Sequence, residues 1–179
     1  MPVASIVGYT NAGKSTLLNR MTRSEVTAED QLFATLDPTT RRMRFPEMRE
    51  IVLTDTVGFI EDLPQTLVAA FQSTLEELEE ADLLLHVLDA SDPNVGHHMQ
   101  AVQEVLERLG IQDTPQLLVW NKADVAEPAM LRQLLDEHEG ITVSARTGEG
   151  LEGLLHEVER RLFREQLAQA HQQAESAPR

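Results

Sequence analysis

The chain has 179 residues, with 15 Lys/Arg against 30 Asp/Glu for a net charge of −15, and no cysteine. That length suits one domain with a full hydrophobic core and is short for two. The lack of cysteine excludes disulfides and thiolate metal sites and fits a reducing, cytoplasmic setting. No apolar run approaches the roughly 18 residues that span a bilayer, and no signal-peptide pattern opens the chain.

Charge is unevenly placed. Residues 1–60 carry 7 basic against 7 acidic side chains, and residues 61–179 carry 8 against 23. So acidic a chain is a poor non-specific ligand for nucleic acid, and nothing points to sequence-specific DNA binding. Only the neutral first third, with Arg41, Arg42, Arg44 and Arg49, could face nucleic acid; an ordinary solvated strand surface is the alternative reading of those arginines.

In chain order, Val3, Ala4, Ser5, Ile6 and Val7 form an apolar run that predicts a strand. Gly8, Tyr9, Thr10, Asn11, Ala12, Gly13, Lys14 and Ser15 follow and fill every fixed position of G-x-x-x-x-G-K-[ST]; Thr16, Leu17 and Leu18 continue a helix expected over residues 15–21. The two glycines let the backbone curl so that N–H groups face phosphate oxygens, with the positive end of the helix behind them. Lys14 would set a charge on the β- and γ-phosphates, and the Ser15 hydroxyl would ligate Mg²⁺.

Residues 22–40 read as a long polar connection, placed to reach over the phosphates. Met43 and Phe45, then Ile51, Val52 and Leu53, predict two short strands joined by a turn at Pro46, Glu47, Met48 and Arg49. The second strand ends in Asp55, Thr56, Val57 and Gly58. An acid at a buried strand tip can hold Mg²⁺ through water, and the Gly58 N–H can donate to a γ-phosphate.

Leu67, Phe71, Leu75 and Leu78 recur at helical spacing opposite an acidic face. The run Leu83, Leu84, Leu85, His86, Val87, Leu88 predicts a central parallel strand with His86 packed inside it. Asp92 and Pro93 predict a helix start, with Val95, Met99, Val102, Leu106 and Leu109 as its buried stripe and His97 and His98 on its surface.

The strand predicted over residues 116–120 delivers Asn121, Lys122, Ala123 and Asp124 at its carboxyl end. A carboxylate there can accept from the N1–H and exocyclic amine of guanine, a donor pair that adenine lacks, so Asp124 selects GTP/GDP over ATP; Asn121 and Lys122 would brace the loops and flank the base. Ile141, Thr142 and Val143 predict the last strand, and Ser144, Ala145 and Arg146 follow, with the Ala145 N–H in reach of the guanine carbonyl. Gly148 to Gly150 open a last helix on Leu151, Leu154, Leu155, Val158 and Leu162, while the Gln/Ala/Ser/Pro-rich end suggests a frayed tail. Alternating elements give an α/β fold, mostly parallel with one antiparallel hairpin, and every motif lies at a strand's carboxyl end, where ligands bind in such sheets.

These motifs, in this order, resemble a P-loop GTPase domain: a three-layer Ras-like G domain with a six-stranded sheet. The wording narrows the resemblance. Residues 7–16, Phe33, Ala34, Thr35, Leu36, Asp37, Pro38, Thr39, Thr40 and Arg41, then residues 55–60, and Leu63 and Pro64 leading to Val68, Ala69, Ala70 and Phe71, together resemble the HflX family. The resemblance covers about residues 3–165.

It implies a cytoplasmic GTPase that binds the ribosome at the large subunit and acts in splitting or rescuing stalled ribosomes. It also implies that Thr35 closes on Mg²⁺ when a γ-phosphate is present, making Lys14, Thr35 and Gly58 the candidate catalytic residues and Ser15, Thr35 and Asp55 the metal residues. Asn11 resembles an asparagine that coordinates K⁺ in several relatives. Phe59 stands where Ras-like GTPases keep a water-orienting glutamine, which implies slow turnover completed by a partner. A G domain over residues 1–165 with a tail over 166–179 is expected, as a monomeric fragment without the family's N-terminal and C-terminal domains. The residues leave two readings open: a ribosome-stimulated GTPase, or an Obg/Era-like nucleotide-gated binding module of ribosome assembly in which hydrolysis is incidental.

Overall fold

The computed structural model describes residues 1–9, 11–25, 40–45, 50–55, 78–164 and 172. Among them are the strands β1 (Val3–Gly8), β2 (Thr40–Arg44), β3 (Glu50–Asp55), β4 (Leu83–Asp89), β5 (Gln116–Asn121) and β6 (Ile141–Thr142). The helices are α1 (Lys14–Glu25), α2 (Val95–Arg108), α3 (Pro128–Glu137) and α4 (Leu151–Leu162).

The strands form one six-stranded sheet in the order β2-β3-β1-β4-β5-β6. β2 and β3 pair antiparallel, with Arg44 opposite Glu50 and Thr40 opposite Thr54, and every other neighbouring pair is parallel. The expected hairpin is therefore present; the turn over residues 46–49 lies outside the described residues, as do Leu67, Phe71 and Leu75.

The central strands are apolar on both faces because both are covered. Ile6, Leu85, Val87 and Val119 pack with Leu17, Met21, Leu154 and Val158, which places α1 and α4 on one face. Val7 and Leu84 pack with Val102 and Leu106 of α2, and Leu88 and Trp120 with Leu134 of α3, on the other. Three layers result, and the sheet order reverses between β1 and β4, where their carboxyl ends open a crevice for a ligand.

Several boundaries differ from the sequence reading, two of them with a visible cause. α1 runs on to Glu25 instead of stopping at residue 21, because the Thr22 hydroxyl donates to the Leu18 carbonyl at 2.9 Å and so sits inside a helix at no polar cost. α2 begins at Val95, because Asp92 shapes the preceding turn: its carboxylate accepts the Asn94 N–H at 2.8 Å and its carbonyl the Val95 N–H at 3.1 Å. β6 ends at Thr142, although the Val143 N–H still donates to the Trp120 carbonyl at 2.9 Å.

Candidate nucleotide site

The loop that leaves β1 is shaped by its glycines. A Cβ on Gly8 would stand 2.5 Å from the Val87 carbonyl oxygen, and one on Gly13, whose φ is +94°, would collide with the Asn121 side chain. Asn11 adopts φ 64°, a left-handed conformation that a short polar side chain tolerates. Lys14 is buried, and its ammonium donates to the Gly8 and Tyr9 carbonyls at 3.3 and 3.2 Å, which holds it over the mouth of the loop.

Beside the loop opens a cavity of about 320 Å³. Gly13 and Thr16 line one side; Asn121, Lys122, Asp124 and Val125 from the end of β5, with Ala145 and Arg146 from the turn after β6, line the other. Two hydrogen-bonded arms tie these segments together. The Asn121 amide donates to the Ala12 carbonyl at 2.9 Å while its oxygen accepts the Ala145 N–H at 3.0 Å. Lys122, at φ 61°, donates to the Asn11 carbonyl at 2.8 Å and to Asp89 Oδ2 at 3.0 Å.

Asp124 Oδ2 accepts from Arg146 Nε and Nη2 at 3.0 and 2.8 Å. The Arg146 guanidinium, with a further hydrogen bond from Ser144, holds the Asp124 carboxyl below the usual range, so it is an acceptor at neutral pH. For Asp89, burial acts upward, but the hydrogen bonds from Ser91 and Lys122 outweigh it and keep the group ionised. Ser144, buried, accepts the Thr147 N–H at 3.1 Å and so rounds the loop it belongs to.

Of the residues singled out in the sequence, Gly13, Thr16, Asn121, Lys122, Asp124, Ala145 and Arg146 line this crevice; Tyr9, Asn11 and Ala12 line a second cavity with Asp89 and His98, and Gly8, Lys14, Ser15, Ala123 and Ser144 belong to the same chain segments. Asp55 ends β3 in register with Ile6 of β1, so its backbone lies beside the strand that feeds the loop. Thr10, Phe33, Ala34, Thr35, Leu36, Asp37, Thr56, Val57 and Gly58 lie outside the described residues. The Ala145 N–H, expected to face a base, is instead taken by Asn121, since a buried amide needs a partner.

His98 is not a plain surface residue: its ring stacks on Tyr9 with centroids 3.9 Å apart and planes 4° from parallel, and its Nδ1 lies 3.4 Å from Asp92 Oδ2. Sequence reasoning also passed over Asp89 and Arg20. Asp89 at the tip of β4 had a usable signal, an acid closing an apolar strand, as Asp55 does on β3.

A family model described as 50S ribosome-binding GTPase matches residues 3–122. The chain belongs to that family. Among curated proteins it is 52% identical over 160 residues to the GTPase HflX of Lacrimispora saccharolytica, covering 89% of this chain and 38% of that protein. It is 51% identical over 165 residues to the GTPase HflX of Caldanaerobacter subterraneus, covering 92% and 38%. This GTPase-family chain thus spans under two-fifths of the length of the relatives it matches. Among solved structures, a GTP-binding protein from the archaeon Sulfolobus solfataricus in complex with GDP superimposes with a TM-score of 0.72 at 28% identity, over 91% of this chain and 53% of that one.

The resemblance to HflX read from the motifs agrees with these matches, as does the G-domain fold. Among the described residues no helix is long and apolar enough to cross a membrane.

Proposed function

We propose that this domain binds GTP with Mg²⁺ and hydrolyses it to GDP and phosphate, as the nucleotide switch of a cytoplasmic, ribosome-binding protein of the HflX type. The observation that carries the reading is the crevice itself: Gly13 of the phosphate loop and the Asp124 carboxylate line one cavity, and Asn121 and Lys122 tie the segments that carry them together.

Each group then has a task. The loop amides and Lys14 hold the phosphates, and Asp124 reads guanine by exchanging Arg146 for the base. Mg²⁺ is usually bound by one or two protein groups plus phosphate oxygens and water. Ser15, Thr35 and Asp55 would be those groups, with the ion neutralising charge that develops on the phosphates during transfer. Asn11 would hold K⁺ beside them. The functional unit is residues 1–165, with 166–179 as its tail. The large ribosomal subunit is the proposed partner, through the switch segments and the neutral first third.

A competition titration of GTP, GDP and ATP tests the nucleotide, and phosphate release with and without large subunits tests the rest. Tight GDP binding with ribosome-stimulated release supports the proposal. Tight binding with no stimulation in a family-length protein would favour the gated binding module instead. Equal affinity for ATP and GTP would end the guanine reading.

A further inference from the structure

Arg20 sits on α1, six residues past Lys14, or roughly 9 Å further along the helix axis. Its side chain turns across to the loop after β6, where Nε donates to the Ala145 carbonyl at 3.1 Å and Nη2 to the Arg146 carbonyl at 2.5 Å. Resting on the guanine-binding reading above, we propose that Arg20 is a positioning residue for base recognition: it clamps the loop at Ala145 and Arg146 from behind, so that the helix that organises the phosphates also sets the wall that meets the base.

Peptide planarity makes such a clamp effective. In a trans peptide the carbonyl and the following N–H point in opposite directions, so fixing two successive carbonyls fixes the orientation of two successive peptide units. Here these are the units that follow Ala145 and Arg146, and the hinge between them is the residue whose side chain pairs with Asp124. The unit on the other side of Ala145 is fixed by Asn121, which accepts the Ala145 N–H at 3.0 Å.

Three consecutive peptide units of the loop are thus held, one by Asn121 from β5 and two by Arg20 from α1. The clamp needs a guanidinium, because its fork of N–H groups can serve two carbonyls at once from one rigid plane, whereas an ammonium is a single point on a flexible stem. These are charge-assisted bonds, stronger than neutral ones.

A loop held in this way keeps the cavity in its binding shape before nucleotide arrives, so the ordering is not charged against affinity. Without Arg20 the loop must be ordered at the moment of binding. The phosphate loop, braced by Asn121 and Lys122 through Ala12 and Asn11, keeps its own supports. Loss of Arg20 therefore falls on the base end of the ligand.

The test is calorimetric titration of the wild type, Arg20→Ala, Arg20→Gln and Arg20→Lys with GDP and with ADP, with each variant's thermal midpoint recorded. The clamp predicts that GDP affinity falls roughly tenfold in Arg20→Ala, less in Arg20→Lys, while the weak ADP affinity holds, so the GDP:ADP ratio shrinks by the same factor. Turnover would show a raised KM for GTP with kcat at saturation unchanged. A proportional loss for both nucleotides would assign Arg20 to general support of α1 and overturn the proposal, as would an unaltered GDP affinity. If Arg20→Ala does not fold, Arg20→Gln and Arg20→Lys carry the same comparison. A wild type that fails to prefer GDP over ADP would instead defeat the guanine reading itself.

Discussion

The side-chain amide of Asn121 donates to the backbone carbonyl of Ala12 at 2.9 Å, across 109 residues of sequence. Since the same side chain accepts the Ala145 N–H, one asparagine holds the phosphate loop and the loop after β6 at a fixed separation. Asn121 is buried, so its removal leaves a carbonyl and an amide without partners inside the protein. Asn121→Ala is expected to lower stability by about 2–4 kcal/mol and to weaken guanine nucleotide binding. Denaturant unfolding and a GDP titration on one preparation check both; a variant as stable as the wild type would remove Asn121 as the tie.

Asp124→Asn reverses the hydrogen-bond polarity of half the carboxylate and removes the partner of Arg146. GTP affinity should fall and affinity for xanthosine triphosphate should rise, because xanthine presents an acceptor where guanine presents its amine. A competition titration with the two nucleotides reads this directly. Parallel loss of both would mean that Asp124 shapes the loop without reading the base.

Much of this site was legible in the sequence because its chemistry leaves little choice of residue. Gly8 and Gly13 are required by close approach and by a positive φ, and Lys14 by charge. The sheet was legible for a similar reason, since strands buried on both faces must read as apolar runs.

Arg20 was not legible. Its targets are backbone carbonyls 125 and 126 residues away, which carry no side-chain signature, and in sequence it looks like any solvated helix arginine. His98 was misread because its partner, Tyr9, is a variable position of the phosphate loop and only the fold brings β1 and α2 together. The end of α1 was misread because a helical Thr22 that satisfies its own hydroxyl looks the same in sequence as the start of a loop.

Asn11 allows a sharper test of the cation. Its left-handed backbone is reason enough for an asparagine there, so a K⁺ site must be shown by activity. If the side chain supplies such a site, GTP hydrolysis will be faster in K⁺ than in Na⁺ at matched ionic strength, and Asn11→Ala will abolish the difference while leaving the backbone bond available to Lys122. Identical rates in the two salts would leave loop geometry as the whole explanation.

His86 makes the fold acid-labile in a defined window. It lies in the middle of β4, flanked by Val7 and Leu118, and its Nε2 is buried without a hydrogen-bond partner. Burial pushes the imidazole down from 6.5 to about 4, and a hydrogen bond with the Gln116 side chain offsets only part of this. The folded state therefore holds the ring neutral over a range in which the unfolded chain binds a proton. Stability from this group is complete above pH 6.5 and drains away as pH falls toward 4, by about 3 kcal/mol in all. Below 4 both states carry the proton and the loss levels off. Glu157, held down to about 2 first by Arg160 and then by Arg161, acts in a lower window: its contribution is present above pH 4.5 and is lost as pH falls toward 2. His86→Leu, of similar volume and without the titrating ring, should flatten the pH dependence between 6.5 and 4 and leave the lower limb intact. Urea unfolding of both proteins at pH 7, 5.5 and 4 measures it, and curves that fall in parallel would show that protonation of His86 does not drive the loss.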